Sequence, residues 1–306
     1  MPSPLLSGSL PRGTSNKMTD PPAPMIFNSR RLQAKLDRGA MNGGGDAFLW
    51  EHMATDIGER LEAVSREFTD ILLIGPATRY EKQILGLRPA HVTAASFSPY
   101  EAGREAAALI ENDHLPFDPG SFDLIVSIGM LDSVNDLPGM LIQCRRALRS
   151  DGLFLGSMFG AGSLSALKSM IMAAEGESVA AHIHPQIDLK MMADLIMRTG
   201  FALPVLDVDR LEVRYRDLAK LLADLRSMGL GNVLAGEQRY FGKEPYAALL
   251  KRWEQARGDT GKVSENFTFL QISGWAPSDD QPKPALRGSA TVSLADVLSP
   301  ATKSAD

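Results

Sequence analysis

Two stretches, Asp70-Ile-Leu-Leu-Ile-Gly-Pro76 and Phe122-Asp-Leu-Ile-Val-Ser127, decide the fold. Each is a short continuous apolar run bounded by turn residues, the pattern of a strand buried on both faces of a parallel sheet. Upstream, Phe48, Leu49, Met53, Ile57, Leu61, Val64 and Phe68 recur at intervals of three and four, which predicts an amphipathic helix over 46–67. Between the two runs lie a helix near Tyr80–Leu85 and a strand at His91–Phe97. Beyond the second run, Leu137, Met140, Leu141, Cys144 and Leu148 line one side of a helix, and Asp151-Gly152 turns into a strand, Leu153-Phe-Leu-Gly156. Strand and helix in alternation imply an α/β protein with a doubly wound, mostly parallel sheet.

Residues 163–199 read as two helices, the second stopped by Gly200, and Phe201–Leu206 as a further strand. Leu218 to Met228 and Tyr246 to Arg257 follow as helices, and Phe267–Trp275 alternates as a last strand. The segment from about 161 to 260 is therefore expected to form a helical lid on a domain spanning 25–275. Ile26–Arg38, with Arg30, Arg31, Lys35 and Arg38 beside Leu32 and Leu36, predicts a short basic helix lying on the body. Residues 1–24, with six prolines, are expected to be a disordered arm, and 276–306 a mobile tail. With Met18 or Met25 as the true start, the arm would be an artefact of the assigned start.

Composition narrows the function classes. Of 306 residues, 44% are hydrophobic and 23% charged, and the net charge is -5. This is a soluble-protein balance without the basic footprint of a nucleic-acid or anionic-membrane partner. No apolar run approaches the roughly 18 residues of a spanning helix. The lone cysteine, Cys144, excludes an internal disulfide and any thiolate-rich metal site. The expected location is a bacterial cytoplasm or, alternatively, the mitochondrial matrix.

In a doubly wound sheet, ligands sit at the carboxyl ends of the strands where strand order reverses. That directs attention to the loops Gly75–Tyr80, Ser96–Tyr100, Glu111–Phe117 and Gly129–Asp136. A glycine turn lets backbone amides approach a nucleoside-type cofactor, and acids after the second and third strands take its ribose and adenine groups. Asp132 is the catalytic candidate: an acid at the mouth of the sheet binds a guanidinium or acts as a base, and the alternative is that it caps the next helix. His182 and His184, with Asp188, raise an iron site of two histidines and a carboxylate. Their spacing is not a facial-triad signature, and a role in the lid is the preferred reading. No metal is assigned.

Leu115-Pro-Phe, Ser121–Ser127, Val134-Asn-Asp-Leu-Pro138, Ala147-Leu, Asp151-Gly-Leu-Phe154 and Gly156–Gly160 resemble the second half of a Rossmann-like S-adenosylmethionine (SAM) methyltransferase domain. More narrowly, His182-Ile-His-Pro185, Gly274-Trp275 and Arg287-Gly-Ser-Ala-Thr-Val-Ser293 are similar to the methyltransferase-superfamily assembly factors of respiratory complex I and their bacterial relatives. The resemblance implies S-adenosyl-L-methionine as cofactor and a protein substrate, a complex I subunit, either methylated or hydroxylated at an arginine. It maps Gly75, Ala77 and Gly129 onto the cofactor loops, Ser96 onto the ribose acid, and Glu111 with Asn112 onto the adenine side.

The match is degenerate. Where the family reads acid-x-Gly-x-Gly-x-Gly, this chain has Leu73, Gly75, Ala77 and Arg79, and Ser96 replaces a carboxylate. Leu73 cannot accept a hydrogen bond from the ligand ammonium, and Ser96 holds a ribose less strongly than an acid. Each lost charged contact costs roughly 1.5–3 kcal/mol. The function expected is thus a SAM-dependent methyltransferase-like protein acting on a protein side chain. The alternatives are a cofactor-free scaffold or assembly chaperone, and a small-molecule or carrier-protein O-methyltransferase.

Overall fold

The computed structural model describes residues 25–41, 46–105, 107–176, 182–237 and 241–281. Helices α1 (Ser29–Met41) and α2 (Phe48–Glu62) open the described chain. Strand β1 (Asp70–Ile74) leads through a 3-10 turn, Gly75–Tyr80, into α3 (Glu81–Leu85), β2 (His91–Ser96), α4 (Pro99–Glu105) and β3 (Ala108–Leu109). Next come β4 (Phe122–Ile128), α5 (Leu137–Ala147), β5 (Leu148–Phe159), α6 (Ser165–Glu175) and α7 (Leu189–Arg198). Strand β6 (Ala202–Tyr215), helices α8 (Leu218–Ser227) and α9 (Lys243–Ala256), and strand β7 (Val263–Trp275) complete the order.

Among the described residues the strands form one seven-stranded sheet in the order β3-β2-β1-β4-β5-β7-β6. The first five are parallel, and β7 runs antiparallel between β5 and β6. Strand order reverses between β1 and β4, which opens the crevice where ligands of this architecture bind. Alternate residues of β4 feed two cores. Leu124, Val126 and Ile128 pack with Leu49, Met53 and Ile57 of α2, whereas Ile125 packs with Met140, Leu141 and Cys144 of α5. Burial pushes the Cys144 thiol up to about 12, so it is an inert core residue.

Aspartates start the helices. Asp136, Asp188 and Asp217 accept backbone N–H bonds from Gly139, Met191 and Lys220 at the first turns of α5, α7 and α8. Asp136, not Asp132, therefore caps α5, and Asp188 is committed to a cap rather than to a metal.

Several boundaries differ from the expected ones. Helix α2 stops at Glu62, and β5 begins at Leu148, passing through Asp151 at φ +60° as an irregularity opposite Phe122 and Leu124. Strand β6 continues well past Leu206, because its alternating edge pattern pairs with β7 up to Tyr215. The span 161–260 thus contributes a strand to the main sheet as well as helices. Residues 1–24 and 282–306, expected as arm and tail, lie outside the described residues. Ala276, at the start of the expected tail, is buried and exchanges backbone hydrogen bonds with Asp151 and Gly152.

Candidate functional site

Two hollows lie near the reversal of strand order; of the sequence-predicted residues Asn112 lines the smaller and Asp132 the larger, while Gly75, Ala77, Ser96, Glu111 and Gly129 line neither. Gly75 follows β1 at φ +68° and Gly129 follows β4 at φ +62°, conformations that suit glycine. Both are closely covered by protein. A Cβ on Gly75 would lie 2.4 Å from Cγ of Met130, and one on Gly129 would lie 2.0 Å from the Trp50 ring. Leu73 and Ala77 belong to the core on the α2 side of the sheet. The Ser96 hydroxyl donates to Glu101 Oε2 at 2.8 Å and accepts the Ser98 N–H at 3.0 Å. Glu101 also pairs with Arg79, which ties the loop after β1 to α4. The Ser98 hydroxyl in turn donates to Asp37 at 2.5 Å, tying α4 to α1.

On the adenine side, Glu111 is exposed, while Asn112 lines a slot of only about 10 Å³ with Phe97, Ile110 and Ser133. That is room for about one water molecule. Phe27 and Leu32, 5% and 8% exposed, form the opposite wall. Asn135 fixes this segment: its Oδ1 accepts the N–H groups of Ile26 and Phe27, both at 2.8 Å, and its Nδ2 donates to the Phe27 carbonyl at 3.2 Å. In the closed arrangement described, an adenosine-bearing cofactor enters only as these side chains part. The anchors are turned toward one another and the base slot is filled by the protein's own side chains.

The second hollow is open. A cavity of about 690 Å³, the size of a small-molecule site, lies beneath α6, α8 and α9. Its apolar walls include Leu164, Leu167, Leu222, Leu225, Phe241 and Phe267. Asp132 lines it from the turn after β4, and its Oδ1 is shut off from solvent without a hydrogen-bond partner. Desolvation pushes this carboxyl up to about 7, opposed only by its own backbone N–H.

Lys35 and Arg226 also line the cavity. His184 Nε2 accepts the Val233 N–H at 3.1 Å, and burial together with Lys35 lowers its pKa to about 4, so the ring is neutral at pH 7. His182 bonds Glu175 at 2.7 Å instead. The two histidines are thus committed to different partners, and the described residues contain no cluster of three or more potential metal ligands. The iron arrangement raised from the sequence is not assembled.

The site therefore keeps Asp132 in the cavity and Asn112 in the slot, leaves Gly75, Gly129 and Ser96 against Met130, Trp50 and Glu101, and leaves Glu111 exposed. Sequence reasoning missed Phe27 and Leu32 as occupants of the slot, Glu101 as the partner of Ser96, and Lys35 as a cavity residue. Only Glu101 carried a signal, as an acid in the first turn after the second strand.

Comparison with known proteins gives consistent matches. A family model described as a methyltransferase domain matches residues 49–204. The chain is 30% identical over 306 residues to the mitochondrial arginine-hydroxylase NDUFAF5 of Mus musculus, covering 95% of this chain and 88% of that one. The Danio rerio protein of the same name is 29% identical over 262 residues, 82% of each chain. A malonyl-[acyl-carrier protein] O-methyltransferase of Xylella fastidiosa (strain M23) is 31% identical over 269 residues, covering 83% of this chain and 90% of that one.

Proposed function

Because the chain belongs to the methyltransferase-domain family, we propose that it is an assembly factor that takes an arginine side chain of a protein client, a respiratory complex I subunit, into the Asp132 cavity. The fold is the Rossmann-like one that binds S-adenosyl-L-methionine in methyltransferases. The observation that carries the reading is the orphaned Oδ1 of Asp132 in an otherwise largely apolar cavity. A buried acceptor without a donor is costly, and a guanidinium supplies paired donors and the opposite charge together. The aliphatic stem of an arginine suits the leucine and phenylalanine walls.

The chemistry at this site belongs to Asp132. A guanidinium favours the ionised carboxylate, so its arrival expels the proton that burial retains near neutrality. The apolar part of the walls lowers the local dielectric, which strengthens that contact. With Phe27 and Leu32 in the slot, capture of the side chain is the step the geometry supports. Transfer chemistry would require the cofactor to displace them first.

Calorimetry with an arginine-containing peptide, about one pH unit either side of 7, tests the reading. Proton release on binding and tighter binding at the higher pH are expected. A protonated Asp132 instead donates to a carboxylate. Tighter binding at the lower pH, with a malonyl-type acid as ligand, would therefore overturn the guanidinium reading in favour of a carrier-protein substrate.

A further inference from the structure

The proposed arginine capture leaves one feature of the cavity unexplained, which is the charge at its mouth. Lys35 and Arg226 line it, and Arg38 lies beside them on α1. Helix α1 crosses the end of α8 closely enough that a Cβ on Gly39 would lie 2.8 Å from the Ser227 carbonyl. Beyond that crossing, the Lys35 ammonium packs on Gly231, where a Cβ would lie 2.5 Å from Nζ. Among the described residues no carboxylate pairs with Lys35, Arg38 or Arg226. The nearby acids are engaged elsewhere: Asp37 accepts from Ser98 and Tyr100, and Asp224 accepts from Lys220. Burial lowers the pKa of Lys35, and Arg38, Arg226 and Arg31 lower it further, which is the mark of cations crowded without a counter-charge. The chain as a whole carries a net charge of -5, so this cluster runs against its own background.

Acid inside and base at the rim define the ligand. Resting on the capture of an arginine by Asp132, we infer that the cationic mouth formed by Lys35, Arg38 and Arg226 receives an acidic segment of the same client polypeptide, adjoining the arginine that enters the cavity. A free small anion is disfavoured, because Arg38 and Arg226 are exposed to solvent while the carboxyl of Asp132 lies within the cavity. A continuous chain leading out of the cavity satisfies both at once. Charge complementarity of this kind selects a partner and speeds encounter, and it weakens with salt.

Four fluorescein-labelled peptides separate the two readings. One carries a single arginine followed by four glutamates, and the second replaces those glutamates by glutamine. The other two repeat the pair with norleucine in place of arginine. Anisotropy at low salt is expected to show the glutamate peptides binding about tenfold more tightly than the glutamine ones, with the gap shrinking at about 0.5 M salt. In R38E, at an exposed position outside the cavity lining, the gap should narrow while the preference for arginine persists; a thermal melt checks that the variant folds. Equal binding of glutamate and glutamine peptides, a gap left unchanged by R38E, or no binding of the arginine–glutamate peptide at about millimolar concentration overturns the inference. Loss of the arginine preference alone sinks the Asp132 reading and leaves the acidic-segment one standing.

Discussion

The two hollows at the carboxyl edge of the sheet share a wall, the turn after β4, yet one holds about 10 Å³ and the other about 690 Å³. At and around the small one polar groups are partnered within the chain: Asn135 with the Phe27 backbone in its wall, and Ser96 with Glu101 and Glu101 with Arg79 nearby. In the large one a carboxylate oxygen and a half-buried ammonium face space without counter-charges. The physical lesson is that satisfied groups report a finished packing arrangement, whereas unsatisfied buried groups in a cavity report an absent ligand.

This contrast can be broken most sharply at Asp132. Replacing it by Asn should weaken binding of an arginine peptide by about 30-fold or more, since removing one member of a buried charge pair costs roughly 2–5 kcal/mol. Calorimetry measures it, and an unchanged affinity would assign the large cavity to another contact. Asp132→Leu should abolish the same binding while raising the melting temperature, because an unpartnered carboxyl is exchanged for an apolar side chain that suits the walls.

The closed side is tested by Phe27→Ala. Truncating this buried ring should cost about 3 kcal/mol in a urea melt. It should also raise the affinity for S-adenosyl-L-methionine by about tenfold, as a conformational obstacle is removed. An affinity unaltered by the truncation would show that Phe27 is not what closes the slot.

Two groups of the large cavity answer acidity with opposite sign. The Asp132 carboxyl is raised from 3.8 to about 7, so the folded state holds a proton that the unfolded chain has lost. Its contribution to stability is therefore present below about pH 4 and is lost as pH rises through 7. His184 runs the other way: lowered from 6.5 to about 4, it withdraws stability as pH falls through that window. Melting curves of the wild type and Asp132→Asn between pH 5 and 8 should diverge in favour of the wild type at the acid end, and parallel curves would contradict the buried-carboxyl assignment. The smallest effect is expected at Arg79→Ala, where a pair that is partly open to solvent contributes at most about 1 kcal/mol.

The strands of the sheet were readable where burial on both faces leaves a continuous apolar run, as in β1 and β4. Strand β3, with two residues, and α4, with seven, are too short for any periodicity to register. The extension of β6 to Tyr215 was hidden because Asp207, Asp209 and Glu212 break the apolar pattern on an edge strand where solvent tolerates them. At the site, Asp132 could be picked out from its place just beyond a central strand. The filling of the adenine slot could not, because Phe27 and Leu32 reach it from a distant segment, and only tertiary packing brings them beside Asn112 and Asn135.

Asn135 grips the backbone of Ile26 and Phe27 from a position just past Asp132, and the Phe27 ring leans edge-on against His184 at 5.0 Å. One short piece of chain is thereby clasped by both hollows. Any molecule that pries it from the nucleoside side must also disturb the turn that carries the acid, and linkage then requires reciprocity: a client seated in the large cavity must change the cofactor's affinity by the same factor by which the cofactor changes the client's.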